Sequence, residues 1–294
     1  MPYAMRLEGM DDGMVELSAK RIVVCDSGLG GLDVASRFFL DGNGEECSVI
    51  YMNAYPDKAW GYNDLQDERA QEELLRKVMM RMEQWEPDVC LIACNTLSII
   101  WQRLRLWWRP SFTVQGIIEA AVSLMADYMR NHEDAELLIL GTKSTIASNV
   151  YPMSLANAGV GAACVHSMAC HRLATLIEQN PAADAVRERI SQYADEAARL
   201  FDEAPKRLAL AFCCTHYGYV RDCWQSEFAM RFGDVDILNP NDAMLCEGKG
   251  VAFEYHSKLE LADVQRSAMA ALFADKAPLI ADALRCATVE PLLF

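Results

Sequence analysis

The stretch Val89–Ile100 constrains the fold of this chain more than any other. It begins with five apolar residues that end at Ala93 and continues with Cys94, Asn95 and Thr96. An unbroken apolar run of that length is typical of a strand buried on both faces in a parallel sheet covered by helices. Ligands of such sheets bind outside the carboxyl ends of the strands, so the polar residues stand where chemistry is expected. A buried structural cysteine is the alternative, because free cysteine is among the most buried residue types.

Strands and helices are predicted to alternate along the rest of the chain. The apolar runs predict strands at 21–25, 47–52, 89–93, from 114, 136–140, 161–166, 208–212 and 235–238. Helical patterns between them cover 33–40, 64–86 and 97–108, two stretches that end at 131 and at 157, and then 169–179, 183–203 and 220–232. The chain after them is expected to be mostly helical. This alternation predicts an α/β protein with largely parallel sheets flanked by helices.

Composition and charge exclude several classes of partner. The 294 residues suffice for one large or two medium domains, and their net charge of −15 repels phosphate backbones, so no nucleic-acid partner is expected. The chain contains no apolar run of about 18 residues, so we expect no membrane segment. The charged residues near its start do not resemble a secretion signal, and a cytoplasmic location with eleven reduced cysteines is expected.

Neither a metal nor a cofactor is predicted. The densest groups of candidate metal ligands are His166, Cys170 and His171, and then Cys213, Cys214 and His216. Neither group has the spacing of a closed four-ligand zinc site. The glycine-rich turn Asp26–Leu32 resembles a dinucleotide-binding fingerprint, but the position of the third glycine is Asp33.

A similar arrangement occurs in both halves of the chain. In the first half one strand ends at Asp26 and a later one at Cys94, while in the second half one ends at Thr142 and a later one at Cys214. The two cysteines lie 120 residues apart, a separation that suits a duplicated α/β domain. Two such domains facing each other would place one thiol on each side of a shared cleft.

Two facing thiols suit a reaction that inverts a carbon centre bearing hydrogen. A thiolate on one face removes the proton, and a thiol on the other face returns one. A cysteine pKa of about 8.5 leaves a usable thiolate fraction at neutral pH. Backbone N–H groups and the side chains of Ser27, Asn95, Thr96 and Thr215 are candidates for stabilising the negative charge that develops beside the substrate carboxylate.

Four motifs in order carry a family resemblance. They are Asp26-Ser-Gly-Leu-Gly-Gly-Leu32, Ala93-Cys-Asn-Thr96, Gly141-Thr-x-x-Thr145-Ile-x-Ser148 with Tyr151, and Cys214-Thr-His-Tyr217. Together they resemble the cofactor-independent glutamate racemases of the aspartate/glutamate racemase superfamily, over about residues 21–243. The resemblance implies two pseudo-symmetric α/β domains with the active site in the cleft between them and no cofactor. It also implies that the substrate is glutamate and that the reaction would supply D-glutamate for peptidoglycan.

The resemblance also implies roles for individual residues. Cys94 and Cys214 would be the acid/base pair, and Asp26, His216 and Glu178 would assist them. The residues that would hold the substrate are Ser27, Trp60, Gly61, Asn95, Thr96, Thr142, Thr145 and Thr215. For Asp26, capping of the following helix is a competing role.

The domain organisation follows from the same resemblance. We predict a discontinuous first domain of residues 1–116 and 222–294 and a second domain of residues 117–221. The chain is expected to return to the first domain near Asn239-Pro-Asn, after the helix that follows Cys214. A cluster of tryptophans at 101, 107 and 108 suits packing or an oligomer contact, and a homodimer is left open.

The chain departs from the family motifs at several positions. Ala59-Trp-Gly61 replaces Pro-Tyr-Gly, and Ala54 replaces an acidic residue. Further differences are His171, Cys213, Gly218 and Asn239. Because the tyrosine and glycine of Pro-Tyr-Gly contact substrate in the family and Trp60 replaces the tyrosine, a racemase for aspartate or another amino acid is an alternative. A catalytically silent ligand-binding protein on this scaffold is another, although the intact thiol pair argues against it.

Overall fold

A computed structural model describes residues 21–40, 44–65, 67–244 and 248–294. The strands in these ranges are β1 (Arg21–Asp26), β2 (Glu46–Asn53), β3 (Val89–Ile92), β4 (Thr113–Gly116), β5 (Ala135–Gly141), β6 (Val165–Ala169), β7 (Arg207–Cys213), β8 (Val235–Leu238) and β9 (Lys249–Ser257). The α-helices are α1 (Leu32–Ser36), α2 (Glu68–Glu83), α3 (Asn95–Leu104), α4 (Ile117–Asn131), α5 (Lys143–Ala147), α6 (Val150–Asn157), α7 (Leu173–Gln179), α8 (Asp184–Ala198), α9 (Arg221–Phe232), α10 (Pro240–Ala243), α11 (Asp263–Phe273) and α12 (Pro278–Arg285). Within these ranges, no helix has the length and apolar character needed to cross a bilayer.

The strands form two separate parallel sheets. The first has the order β4-β3-β1-β2-β9 and the second the order β6-β5-β7-β8, and every neighbouring pair is parallel. The predicted α/β class with largely parallel sheets is confirmed. Because all strands of a parallel sheet point the same way, the polar residues that follow β1 and β3 lie at one edge, and those that follow β5 and β7 lie at one edge of the other sheet.

Helices cover both faces of each sheet, which explains the continuous apolar runs in the strands. In β1, Ile22 and Val24 pack with residues of α1, α11 and α12, while Val23 and Cys25 pack with residues of α2 and α3 on the opposite face. The second sheet is built in the same way, with α7, α8 and α9 on one face of β5 and α4 and α6 on the other. Each strand therefore contributes alternate residues to two cores.

Some predicted elements differ from the observed ones. The helix predicted to continue to residue 157 is interrupted between α5 and α6, because Asn149 adopts a left-handed conformation with φ of 55°. The strand predicted at 161–166 lies at β6, a few residues later. The prediction of a mostly helical end of the chain is wrong at β9, which pairs with β2 at the sheet edge. An edge strand with several exposed and charged residues has no continuous apolar run to reveal it.

The chain passes between the sheets twice. It leaves the first sheet through α4 and returns after β8, whose last residue precedes Asn239. The predicted boundary at residue 222 assigns β8 to the first domain, whereas β8 pairs with β7 in the second sheet. The division of the chain into domains stays a prediction.

Ser98 joins three elements behind the carboxyl end of β3. Its buried hydroxyl donates a hydrogen bond to the Ile92 carbonyl (3.0 Å) and accepts one from the Ile117 N–H (3.1 Å). This side chain therefore ties β3, α3 and the start of α4 together where Cys94 is held.

We expect Ser98→Ala to lower the free energy of unfolding by about 1–3 kcal/mol, because the substitution leaves a buried N–H and a buried carbonyl without a partner. Urea denaturation followed by circular dichroism measures the change. Ser226→Ala is the matched control, because Ser226 is exposed and donates only to the Cys223 carbonyl. Equal stability of the two variants would contradict this account of Ser98.

Candidate active site

The carboxyl ends of strands from both sheets line one cavity of about 270 Å³. Asp26 is the last residue of β1, Cys94 follows β3, Thr142 follows β5, and Cys214 follows β7. The cavity is lined by Asp26, Ser27, Tyr55, Asn63, Cys94, Asn95, Thr96, Thr142, Ala174, Thr175, Glu178, Gln179, Cys213, Cys214, Thr215, His216 and Gln265. The tertiary structure thus brings the two predicted thiols to the same cavity from two different sheets.

Cys94 is held at the start of α3. Its Sγ accepts a hydrogen bond from the Leu97 N–H at 3.5 Å and lies 3.1 Å from Ser27 Oγ. Burial, and then the nearby Asp26 carboxylate, raise the pKa of Cys94 to about 12, although the contacts with Ser27 and the Leu97 N–H act in the opposite direction. At such a pKa Cys94 is a thiol at neutral pH, and Ser27 and the Leu97 N–H are placed to stabilise a thiolate.

Cys214 has a different environment. Its Sγ lies 3.8 Å from His216 Nδ1, and His216 Nε2 lies 2.6 Å from Glu178 Oε2. Burial lowers the pKa of His216, but the hydrogen bonds to Cys214 and Glu178 outweigh it and leave that pKa well above its ordinary value. Glu178 and Cys214 therefore favour the protonated form of His216, and a cationic neighbour of that kind activates cysteine thiols.

Asp26 links the two sheets beneath the cavity. Its buried carboxylate accepts a hydrogen bond from Thr215 Oγ1 at 2.9 Å. Burial raises the pKa of Asp26 to about 6, and His216 and the hydrogen bond from Thr215 oppose the increase. The N-cap residue of α1 is Gly31, and the Asp26 carboxylate accepts a hydrogen bond from the Gly31 N–H, so Asp26 contacts both the start of this helix and Thr215.

Asn95 brings an unused donor to the cavity. The Tyr151 hydroxyl donates to Asn95 Oδ1, which fixes the orientation of the amide. Asn95 Nδ2 is buried and has no hydrogen-bond partner among the described residues. Because buried amide donors are nearly always paired, this N–H group is available to an acceptor on a ligand.

Hydroxyl groups meet where the first residues of α3 contact those of α5. Thr96 Oγ1 lies 3.5 Å from Thr142 Oγ1 and 3.4 Å from Ser144 Oγ. Thr142 in turn caps α5 by accepting from the Thr145 N–H. Thr145 is buried behind Thr142 and does not line the cavity, so its contribution is to hold Thr142.

The loop after β2 departs from the sequence-based expectation. Trp60 is 37% exposed, and neither Trp60 nor Gly61 lines the cavity. Tyr55 and Asn63 from the same loop line it instead, and Asn63 accepts a hydrogen bond from Ser144 across the cleft. Tyr55 lies two residues beyond the end of β2, so the strand-end rule that identified Cys94 could have identified it too.

Further lining residues escaped the sequence analysis. Ala174, Thr175 and Gln179 lie on α7, the same helix as the predicted site residue Glu178. Gln265 lies on α11, far along the chain, with no motif around it. Among the described residues, no group of three or more histidine, cysteine or acidic side chains is placed to hold a metal ion.

The sequence profile of the Asp/Glu/Hydantoin racemase family matches residues 44–244. The chain belongs to this family. Among curated relatives, a glutamate racemase of Helicobacter acinonychis is 25% identical over 213 residues, which cover 72% of this chain and 78% of that protein. A glutamate racemase of Campylobacter jejuni is 30% identical over 139 residues, or 47% of this chain and 53% of that protein. The resemblance predicted from the four motifs is confirmed.

Solved structures of this racemase family share the fold. A glutamate racemase isoform from Bacillus anthracis superposes with a TM-score of 0.66 at 21% identity, covering 83% of this chain and 91% of that one. A Francisella tularensis glutamate racemase in complex with D-glutamate gives a TM-score of 0.61 at 19% identity, covering 88% and 95%. At such identities the likeness establishes the fold, and the roles of individual site residues in this chain stay predictions.

The pKa of Asp26 predicts an unusual dependence of stability on pH. Because the folded-state value of about 6 exceeds the ordinary 3.8, the folded state holds this proton more tightly than the unfolded state does. The wild type should therefore lose stability relative to Asp26→Asn as the pH rises from about 4 to 6, by up to about 3 kcal/mol, and the difference should be constant above that. Urea unfolding of both proteins across pH 4–8 measures it.

Asp236→Asn is the control for this experiment. The hydrogen bonds from Tyr128 and Arg207 lower the pKa of Asp236, so the stability contributed by this carboxylate is present above its unfolded pKa and is lost only at lower pH. The difference in the free energy of unfolding between Asp236→Asn and the wild type should stay constant above about pH 5. If the difference in the free energy of unfolding between Asp26→Asn and the wild type also did not change with pH, this would contradict the raised pKa of Asp26.

Proposed function

We propose that the protein is a glutamate racemase that interconverts L- and D-glutamate by proton transfer at the α-carbon. The observation that carries the proposal is the cavity that Cys94 and Cys214 line from the strand ends of two different sheets. The family membership of the chain supports it, as does the glutamate racemase of Helicobacter acinonychis, which the chain matches over 78% of that protein's length.

The proposed chemistry needs only the two thiols and the substrate. One cysteine, as thiolate, removes the α-proton and becomes a thiol. The other cysteine, as thiol, donates its proton to the opposite face of the carbanion and becomes a thiolate. The reverse reaction uses the same groups with exchanged roles. Asp26 and Ser27 would assist proton transfer at Cys94, while His216 and Glu178 would assist it at Cys214.

The substrate carboxylates would be held by neutral donors. The residues that line the cavity include no lysine or arginine in the part of the chain that the structure describes. The unpartnered Asn95 Nδ2 and the N–H groups at the start of α3 are suited to bind the α-carboxylate, and the helix dipole adds to their effect. Hydroxyls of Ser27, Thr96 and Thr142 would complete the set, whereas the Thr215 hydroxyl already donates its hydrogen to Asp26. Donors aimed at this carboxylate also stabilise the charge that it receives from the carbanion.

The residues that the loop after β2 brings to the cavity differ from the family pattern, which leaves a second substrate as an alternative. Tyr55 and Asn63, rather than Trp60, reach the cavity, and Ala54 has no charge to contribute. A cavity of about 270 Å³ lies near the lower end for small-molecule sites and suits a single amino acid. A racemase for aspartate or another amino acid is therefore the alternative. A cytoplasmic location, a supply of D-glutamate for peptidoglycan and a homodimeric state are further parts of the proposal.

Single amino acids incubated with the protein in D2O test the substrate, with loss of the α-proton followed by NMR. Exchange with L- and D-glutamate alone is expected. Exchange with a different amino acid would replace glutamate as the substrate, and no exchange with any amino acid would overturn the proposed activity.

We expect Cys94→Ser and Cys214→Ser each to reduce racemisation by at least about 100-fold in both directions, because a serine hydroxyl is a far weaker acid than a thiol. Circular dichroism of glutamate solutions measures the rate. Cys286→Ser is the control, because Cys286 is exposed and lies outside the cavity. Wild-type rates in either of the first two variants would exclude the two-base mechanism.

A further inference from the structure

Gln265 connects the two halves of the molecule behind the cavity. It lies on α11, which packs on the first sheet, and its Nε2 donates a hydrogen bond to Glu178 Oε1 at 2.7 Å. Glu178 lies on α7, which packs on the second sheet. This hydrogen bond therefore depends on the placement of both sheets and not on either one alone.

The other oxygen of Glu178 is also occupied. Oε2 accepts a hydrogen bond from the Leu29 N–H at 3.2 Å and lies 2.6 Å from His216 Nε2. With Gln265 on Oε1, both carboxylate oxygens have donors, so the plane of the carboxylate is determined. Without Gln265, the carboxylate could rotate about its last side-chain bond while it kept a single contact with His216.

The backbone at Gly28 restricts the carboxylate from another side. A Cβ atom at Gly28 would lie 2.7 Å from Glu178 Oε2, a distance that non-bonded atoms do not tolerate. Gly28 thus allows the glycine-rich turn to approach Glu178 closely. The carboxylate is confined between this turn, His216 and Gln265.

The chemical type of Gln265 suits a supporting role. A carboxamide donates a hydrogen bond but carries no charge. A lysine or arginine at this position would form an ion pair with Glu178 and compete with His216 for it. A neutral donor orients the carboxylate and leaves its charge to act on His216.

We propose that Gln265 is a positioning residue that holds Glu178 against His216 and thereby supports proton transfer at Cys214 but not at Cys94. The contacts of Cys94 with Ser27 and the Leu97 N–H involve neither Gln265 nor Glu178. In the described part of the chain, the hydrogen bonds of Cys94 and those of Glu178 therefore share no residue. This inference rests on the proposed racemase function, and its test separates the two.

The first measurement uses racemisation by Gln265→Met, a substitution that keeps side-chain length and removes the donor. We expect kcat/KM to fall about tenfold, as loss of a hydrogen bond to a charged group implies. Since L- and D-glutamate have equal free energies, kcat/KM must fall equally in both directions. The specificity for Cys214 is read from the isotope effect with α-deuterated substrates. The isotope effect should increase in the direction in which Cys214 removes the proton and decrease in the opposite direction.

The second measurement needs no activity. Iodoacetamide alkylation of each cysteine is followed by peptide mass spectrometry, with Cys94 as the internal reference in the same cavity. We expect Gln265→Met to slow alkylation of Cys214 about tenfold relative to Cys94, because a displaced Glu178 no longer holds the His216 ring beside the Cys214 thiol. An unchanged ratio of the two rates would overturn the inference even if the protein racemised no amino acid.

Gln225→Met is the matched control. Gln225 is also partly buried and donates one hydrogen bond, to the Val235 carbonyl at 2.9 Å, outside the cavity. It should leave the isotope effects and the alkylation ratio at their wild-type values. If Gln265→Met lowers the rate in both directions without changing the isotope effects or the alkylation ratio, its role is structural and the inference fails. If the wild type itself does not racemise glutamate, the proposed function fails, and the alkylation ratio alone decides the role of Gln265.

Discussion

The hydrogen bond from Thr215 Oγ1 to the buried carboxylate of Asp26 is the contact on which the cavity depends. Asp26 ends the central strand of the first sheet, and Thr215 lies two residues beyond the end of a central strand of the second. The bond therefore joins the two edges at which parallel strands present polar side chains. Burial makes ionisation of Asp26 costly, and the donors around it limit that cost. A charged group is thereby kept beneath a site that handles protons.

The two thiols of the site differ in their surroundings although their strands are alike. Cys94 caps a helix and contacts a hydroxyl, so its support comes from neutral donors. Cys214 faces His216, which is held by Glu178, so its support comes from charge. In the proposed two-base reaction each thiol acts as the base in one direction and as the acid in the other, so both need support. Two different sets of residues would supply that support, and Gln265 would belong to only one of them.

The absence of lysine and arginine from the described cavity lining explains the density of hydroxyl and amide groups there. Neutral donors such as Asn95 Nδ2 are available there to an acceptor on a ligand. The net charge of −15 of the whole chain makes the local choice of donors more important, since the surface offers no general attraction for an anion.

Most of the strands, the two cysteines at strand ends and the family could be predicted from the sequence alone. Buried parallel strands are continuous apolar runs, and a polar residue at the end of such a run is visible without coordinates, as at Asp26, Cys94 and Cys214. The edge strand β9 was missed because its residues are half exposed and follow no simple period. The positions of Asn95 and Thr96 beside Cys94 were equally visible in the sequence, while their roles stay predictions.

The contacts between residues from distant segments are visible only in the tertiary structure. It placed Gln265 against Glu178, although 87 residues separate them along the chain, and it directed Tyr55 and Asn63 rather than Trp60 to the cavity. It also put Thr145 behind Thr142 instead of beside the ligand space. These arrangements depend on how α11 packs on one sheet and α7 on the other, and on the path of an irregular loop. No local pattern of residues encodes such packing, because it is set by the combined shape of both cores.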